Sequence, residues 1–428
     1  MMIDKKDRYS GFFSKLETMT ASERRQFQNR KLKQIIAYAY EKAPAIKKKL
    51  DKAKVTPGAI KTVKDLEKLP ITEKADLVAL QKKNPPFGGL NGVPPEKLRR
   101  IFVSPGPIYE PGEMVYEDTR WAQGLYAGGF RAGDICQITF NFQLVPFAFM
   151  LDSSLKLLGC RTIPAGVGNT ELQVQIMKDL KVTGFLGTPS FLFSAIQKAK
   201  EMGLNPKKDL ALKAAFVAAE MLPESMRDSL ESELGLLIRQ SYGTADIGCL
   251  GFECVEKNGM HFPDDCIVEI VNPQTGKQLG PGEVGEVVGT CFNKVYPLIR
   301  FGTGDLSYLS DEPCPCGRTS PRLVKIVGRV DQVTKVKGMF IHPALVDLVA
   351  AKFSDICACQ VVVTREGHQD KMTFRAELTQ PCSNPDELSM AVGKVIQEIL
   401  RVRGEVQFLP KGSLAKEAKK IEDKRVWE

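Results

Sequence analysis

Asp305 closes the phrase Pro297-Leu298-Ile299-Arg300-Phe301-Gly302-Thr303-Gly304-Asp305-Leu306. Apolar residues leading to a glycine-flanked aspartate describe a strand ending in a turn, with one carboxylate presented at a sheet edge. Such a carboxylate suits a ribose diol, because each oxygen accepts a hydrogen bond from one hydroxyl. A second phrase, Gly328-Arg329-Val330-Asp331, sets Asp331 between glycines and charged residues, where a chain can pivot between two bodies. In Ser241-Tyr242-Gly243-Thr244-Ala245-Asp246 the ring can stack a base, the glycine permits close approach, and Asp246 offers oxygen to a hard cation. Cys314-Pro315-Cys316, with Cys254 and His261 upstream, supplies thiolate and imidazole groups that suit tetrahedral zinc. Each phrase taken alone also fits an ordinary turn, and the cysteines fit reduced, buried thiols.

In this order the phrases resemble the nucleotide-binding and hinge motifs of the adenylate-forming superfamily, and most closely those of the phenylacetate–CoA ligase family. The resemblance covers nearly the whole chain. It implies an AMP-forming carboxylate–CoA ligase that activates an aryl or acyl acid with ATP and transfers it to coenzyme A. Asp305 would hold the ribose and Tyr242 and Gly243 the adenine. Ser104, Gly106, Ala219, Glu220, Ser241 and Thr244 complete the implied nucleotide site. Asp246 would hold Mg2+, Arg329 would lie near the ribose or phosphate, and Asp331 would be the hinge. A subset of the family carries a structural Zn2+ at positions similar to Cys254, His261, Cys314 and Cys316, with Cys266 in reserve.

Two motifs depart from the family. Its phosphate loop is rich in serine, threonine and glycine, whose donors hold a triphosphate. Here it reads Ser104-Pro105-Gly106-Pro107-Ile108-Tyr109-Glu110-Pro111, with Glu110 at the lysine position. Prolines remove N–H donors and Ile108 brings no hydroxyl, so this loop is not expected to grip ATP in the usual way. The family's catalytic lysine stands six residues before the aspartate of a closing Asp-x-Arg. Asp423-Lys424-Arg425 matches the close, but that position is Glu417, which leaves Lys416 and Lys419 to face the developing negative charge. A solvated basic helix end is the alternative for both lysines. The acid pocket is expected along Phe140 to Phe149, with Phe142, Phe147 and Ala148 as lining, although core packing uses such residues more often. Two further functions stay open: adenylation with an acceptor other than coenzyme A, and a catalytically impaired homologue that binds a nucleotide or acyl-CoA.

The elements that must position these residues are legible as patterns. Residues 21–50 read as an amphipathic helix ended by Pro44, and Thr62 and Thr72 each read as the cap of a short helix. Strands at 100–103, 161–166, 182–186 and 214–217 alternate with helices, with Ser190 a plausible cap, which argues for a mostly parallel sheet covered on both faces. Strands at 284–290 and 297–301 suggest a small barrel-like subdomain. The fold class expected is α/β: a large domain over 1–328 of stacked βα layers, with a zinc-bearing β subdomain at about 247–328, and a mobile α+β lid over 329–428.

Bulk properties agree with a chain of more than one domain. It has 428 residues, is 43% hydrophobic and 26% charged, and carries a formal net charge of +9. The charge suits polyanionic partners such as ATP or coenzyme A, while the lysines are spread out without an arginine and aromatic cluster, against nucleic acid. The longest apolar run, 144–151, is far below the ~20 residues a spanning helix needs, against a membrane. Eleven cysteines without a secretion signal predict a reducing, cytoplasmic setting. The partners implied are a small carboxylic acid, ATP and coenzyme A, and a homodimer is allowed.

Overall fold

The computed structural model describes residues 8–104, 107–112, 119–330, 334–336, 339–341, 343–366, 369–380, 382–415 and 418–425. The chain divides into two compact units: Met1–Thr303 with Tyr308–Lys325, and Gly304–Ser307 with Ile326–Glu428.

The first unit opens with helix Ala21–Lys42. Thr20 accepts from the Glu23 N–H while Glu23 accepts from the Thr20 N–H, which satisfies two donors that a helix start leaves open. Its Leu32, Ile35, Ile36 and Ala39 are buried on one face. Pro44 then becomes the first residue of a second helix, Pro44–Lys52, where its missing N–H costs nothing. Thr62 begins a 3-10 turn, Val63–Lys68, as expected. Thr72 does not cap a helix: Thr72–Glu73 is a short strand, β1. Its N–H donates to the Arg300 carbonyl at 2.8 Å, so a tertiary partner overrides the local cap signal.

Strands β2 (Arg100–Ser104) and β3 (Ile108–Gly112) form an antiparallel hairpin that pairs Ser104 with Ile108 and Phe102 with Glu110. Of the departed phosphate loop, Ser104 therefore ends β2 and Ile108, Tyr109, Glu110 and Pro111 lie in β3. Strands β4 (Ile135–Ile138), β5 (Arg161–Pro164), β6 (Gly184–Gly187), β7 (Ala214–Val217) and β8 (Ile238–Thr244) run parallel in the order β5-β4-β6-β7-β8. The connecting helices include Phe147–Leu157, Thr170–Asp179, Pro189–Glu201 and Glu224–Leu234. Thr188, rather than Ser190, caps the third of these, accepting from the Phe191 N–H with Pro189 in the first turn. A proline there fixes the helix start two residues earlier than the serine suggested.

At β9 (Gly248–Glu253) the chain turns back against β8. Strands β10 (Met260–His261), β11 (Cys266–Val271), β12 (Gly285–Cys291), β13 (Phe301–Ser310) and β14 (Arg322–Arg329) extend the sheet in the order β9-β10-β14-β13-β12-β11, with β1 beside β13. The α/β class is as expected, and its parallel and antiparallel parts are one sheet joined at β8 and β9. Asp305 corrects an expectation. It is the fifth of the ten residues of β13, inside a strand flanked by β12 and β14, and neither in a turn nor at an edge. The glycine that mimicked a turn, Gly304, holds φ +75 within the strand.

The second unit contains the hairpin β15 (Thr334–Val336) and β16 (Met339–Ile341), helix Pro343–Ala350, strands β17 (Ile356–Glu366) and β18 (Gln369–Leu378), helix Pro385–Ile399, and strands β19 (Glu405–Leu409) and β20 (Ile421–Asp423). Its sheet order is β19-β18-β17-β20, and Val361, Val363, Phe374, Val392 and Ile396 form its own core. No helix among the described residues is long and apolar enough to cross a membrane.

Candidate active site and metal centre

Adjacent parallel strands β7 and β8 carry several candidate residues at their carboxyl ends, where open α/β sheets bind ligands. Ala219 follows β7 with φ +69, a conformation that costs a non-glycine residue and marks a constrained site. The next carboxylate, Glu220, accepts from the Ser190 hydroxyl at 2.9 Å and its N–H at 3.2 Å. On β8 the Tyr242 hydroxyl lies 3.0 Å from Thr303 Oγ1, which donates to the Val287 carbonyl at 2.9 Å. The buried Ser241 hydroxyl has no hydrogen-bond partner among the described residues. Gly243 is required by the protein's own backbone, since a Cβ there would sit 2.4 Å from the Gly248 carbonyl oxygen. A cavity of about 430 Å³ near the ends of β4 and β6 is lined by Thr139, Phe140, Asn141, Thr188, Ser190 and Phe191.

Beyond β8, Asp246 lies in a charged cluster that joins distant stretches. The Lys74 ammonium donates to Asp246 Oδ2 at 2.7 Å, and Thr244 Oγ1 lies 3.3 Å from the same oxygen. Glu110 turns inward from β3, where Ser104 Oγ donates to its Oε2 at 2.8 Å. Burial, and then the charge of Asp246, push the Glu110 carboxyl up to about 8. Gln81 fixes the hairpin by bonding both the N–H and the carbonyl of Tyr109, at 2.8 and 2.7 Å. Glu110, Asp246, Arg120, Asn293, Lys294 and Tyr296 help line a cavity of about 270 Å³.

Cys254, His261, Cys314 and Cys316 offer ligand atoms that all lie within 4.8 Å of one another. The pairing of β10 with both β9 and β14 creates this meeting, because Cys254 follows β9 and the cysteine loop precedes β14. Cys254 and Cys314 sulfurs are 3.7 Å apart, and Cys316 Sγ is 3.4 Å from His261 Nε2. Zinc–sulfur bonds of about 2.3 Å put neighbouring sulfurs of a tetrahedron about 3.8 Å apart, so the donor set fits that ion. The N–H groups of Glu256 and Arg318 point at Cys254 and Cys316 sulfur, each at 3.4 Å, as suits thiolates. His261 Nδ1 lies 3.3 Å from the Ser320 carbonyl, an outer partner that orients the ring. Burial holds the imidazole below its usual value, favouring the neutral form. Cys266 lies outside this set, its thiol 3.7 Å from the Pro263 carbonyl.

Comparisons with known proteins place this geometry. The model of AMP-binding enzymes matches residues 141–290, and that of the AMP-binding enzyme C-terminal domain matches 338–428. Phenylacetate-coenzyme A ligase of Thermus thermophilus is 32% identical over 379 residues, covering 86% of this chain and 84% of that protein. Its counterpart from Escherichia coli is 29% identical over 378 residues, or 85% of each chain. The chain belongs to the phenylacetate–CoA ligase family. A crystal structure of 2-hydroxyisobutyryl-CoA ligase, in an open conformation with 2-HIB-AMP and CoA, superposes with a TM-score of 0.85 at 26% identity. It covers 95% of this chain and 93% of that one.

Within this member of the phenylacetate–CoA ligase family, the remaining candidates fall as follows. In the second unit Arg329 donates to Asp305 at 2.7 Å across β13 and β14. Lys419 is exposed, and its carbonyl accepts from Gln360. Gly106, Asp331 and Lys416 lie outside the described residues. Phe147 packs with ring centroids 5.0 Å from Trp121 and 4.6 Å from Phe140, Ala148 is fully buried, and Phe142 lies 5.2 Å from Phe149. From the same stretch it is Pro146 and Met150 that line the smaller cavity. Sequence reasoning missed Lys74 and Tyr296. Neither stands in a recognisable motif, and each reaches the site only through tertiary folding.

Proposed function

We propose that the chain acts as an AMP-forming acid–CoA ligase whose nucleotide contacts and metal ligands are the residues assigned below. In the first half-reaction a carboxylate oxygen of the acid attacks the α-phosphorus of ATP. The bond to the β-phosphate breaks, and pyrophosphate leaves. In the second, the thiolate of coenzyme A attacks the acyl carbon, and AMP departs with the acid's oxygen. Adenylation turns a poor leaving group into a good one.

The observation that carries this reading is similarity to phenylacetate-coenzyme A ligases along most of the chain, together with Tyr242 and Gly243 at the end of β8. Tyr242, Gly243, Ala219 and Glu220 are assigned to adenine, Asp305 to the ribose, and Arg329 to the ribose or phosphate. Asp246 is assigned to Mg2+, which when bound neutralises phosphate charge. Lys416 or Lys419 is assigned to the acid's carboxylate, and Asp331 to the hinge. Cys254, His261, Cys314 and Cys316 are assigned to a structural Zn2+. One observation favours a second reading, a catalytically impaired nucleotide-binding homologue: Glu110 occupies the lysine position of the phosphate loop and is buried against Ser104 and Asp246.

Pyrophosphate release over a panel of aryl and short acyl acids, with and without coenzyme A, separates the two. The ligase yields pyrophosphate, AMP and a thioester with at least one acid. Tight ATP binding with no pyrophosphate from any acid supports the impaired homologue instead.

A further inference from the structure

The parallel pairing of β6 with β7 ends at Gly187 and Val217. Ser190 and Glu220 each stand three residues beyond, so the register brings them face to face. The Ser190 hydroxyl donates to Glu220 Oε1 at 2.9 Å, and the Ser190 N–H donates to Oε2 at 3.2 Å. That N–H belongs to the second residue of helix Pro189–Glu201 and is one that a helix start leaves open. The positive end of the helix also favours a carboxylate there. Capping is done by Thr188, which accepts from the Phe191 N–H, so the Ser190 side chain is not needed for it. Thr188 Oγ1 lies 3.1 Å from Ser190 Oγ and can donate to it, which directs the serine proton to Glu220. On the other side Ala219 holds φ +69, a strained setting in the turn that delivers Glu220. Each Glu220 oxygen thus has one donor, and the residue is exposed, so each keeps a lone pair open to a ligand.

We propose that Ser190 is a positioning residue that sets the choice of nucleobase, by holding the Glu220 carboxylate where it accepts from the amino group of adenine. The proposal rests on Glu220 lying at adenine within the ligase reading. The Tyr242 ring stacks either purine, because every base has a π-face, so stacking does not choose between them. The edge of the base does. Adenine presents an amino donor where guanine presents a carbonyl oxygen. A carboxylate only accepts, so a fixed Glu220 pairs with adenine and repels guanine. A carboxylate that swivels turns away from guanine, and the discrimination falls.

The test titrates AMP and GMP separately into the full chain by isothermal calorimetry, with neither acid nor coenzyme A present. The parent should bind AMP at least about tenfold more tightly than GMP, as a site built around a donor rejects an analogue that lacks it. Ser190→Ala, which keeps the N–H and removes the hydroxyl, should weaken AMP by about fivefold and leave GMP as in the parent. Ser190→Thr should restore the parent's ratio, since it returns a hydroxyl to the same place. A parent that binds the two nucleotides equally, or neither, overturns the proposal. So does a folded Ser190→Ala chain that keeps the parent's ratio, or one that weakens both nucleotides alike, as a merely structural serine would. Glu220→Gln carries the test if Ser190→Ala fails to fold, because its amide can donate to the guanine oxygen. It should narrow the ratio, and an unchanged ratio overturns the proposal. Loss of AMP selectivity in Ser190→Ala, in a chain that releases no pyrophosphate, sinks the ligase reading and leaves the serine's role standing. Pyrophosphate release with an unaltered ratio does the opposite.

Discussion

Lys49 is a cation held where water is scarce. Its ammonium donates to Thr72 Oγ1 and to the Ile299 carbonyl, each at 2.7 Å. Burial, then the Arg300 charge, lower its pKa to about 7, while Glu269 and Glu73 pull the other way. The unfolded chain holds this proton up to the ordinary lysine value. Between about 7 and that value the unfolded state binds more protons, so stability rises with pH, and the gain is lost as pH falls through 7. One proton corresponds to a slope of at most roughly 1.4 kcal/mol per pH unit. Lys49→Met should flatten that part of the denaturant-derived stability profile. A variant with the parent's slope between pH 7 and 10 contradicts the assignment. Nothing around Lys49 in the sequence announces this, because Arg300, Glu269 and Thr72 reach it only in the fold.

Among the elements, the cysteine loop between β13 and β14 has the most to hold in place. Arg318, two residues beyond Cys316, forms a buried pair with Glu17 at 2.6 Å and packs over the Phe12 ring. Thr319 donates its N–H to the Glu17 carbonyl and accepts from Arg24, which also pairs with Asp264. A metal that fixes the loop therefore fixes the N-terminal segment over residues 12–24. Cys314→Ser should lose the zinc, lower the melting midpoint by more than about 5 °C, and expose residues 10–20 to trypsin. A metal-free parent by elemental analysis, or a variant that melts with the parent, contradicts this. The cysteine and histidine set was readable by resemblance, whereas spacing alone favoured reduced, buried thiols. Strand and helix positions followed from period and punctuation. Errors came where the fold overrode the local signal: Thr72 joined β13, and Gly304 sits within β13 instead of ending it.

At the scale of the whole molecule, the sequence order of motifs was sufficient to recognise the α/β framework and the family. It was insufficient for the charge arrangement of the cavity. Lys74 and Asp246 are separated by 172 positions, and Glu110 reads as a plain loss of function until its side chain is seen bonded to Ser104. A local pattern predicts its own strand or turn. It does not predict which carboxylate will face which cation after a sheet has closed over both. The account's central claim is that an acid is joined to AMP before it reaches a thiol. The most direct measurement supplies a carboxylic acid accepted in the pyrophosphate assay, labelled with oxygen-18 in its carboxylate, with ATP and coenzyme A, and weighs the products. The account predicts one labelled oxygen in AMP and none in pyrophosphate. Thioester formed with unlabelled AMP, or label found in a phosphate other than that of AMP, contradicts it.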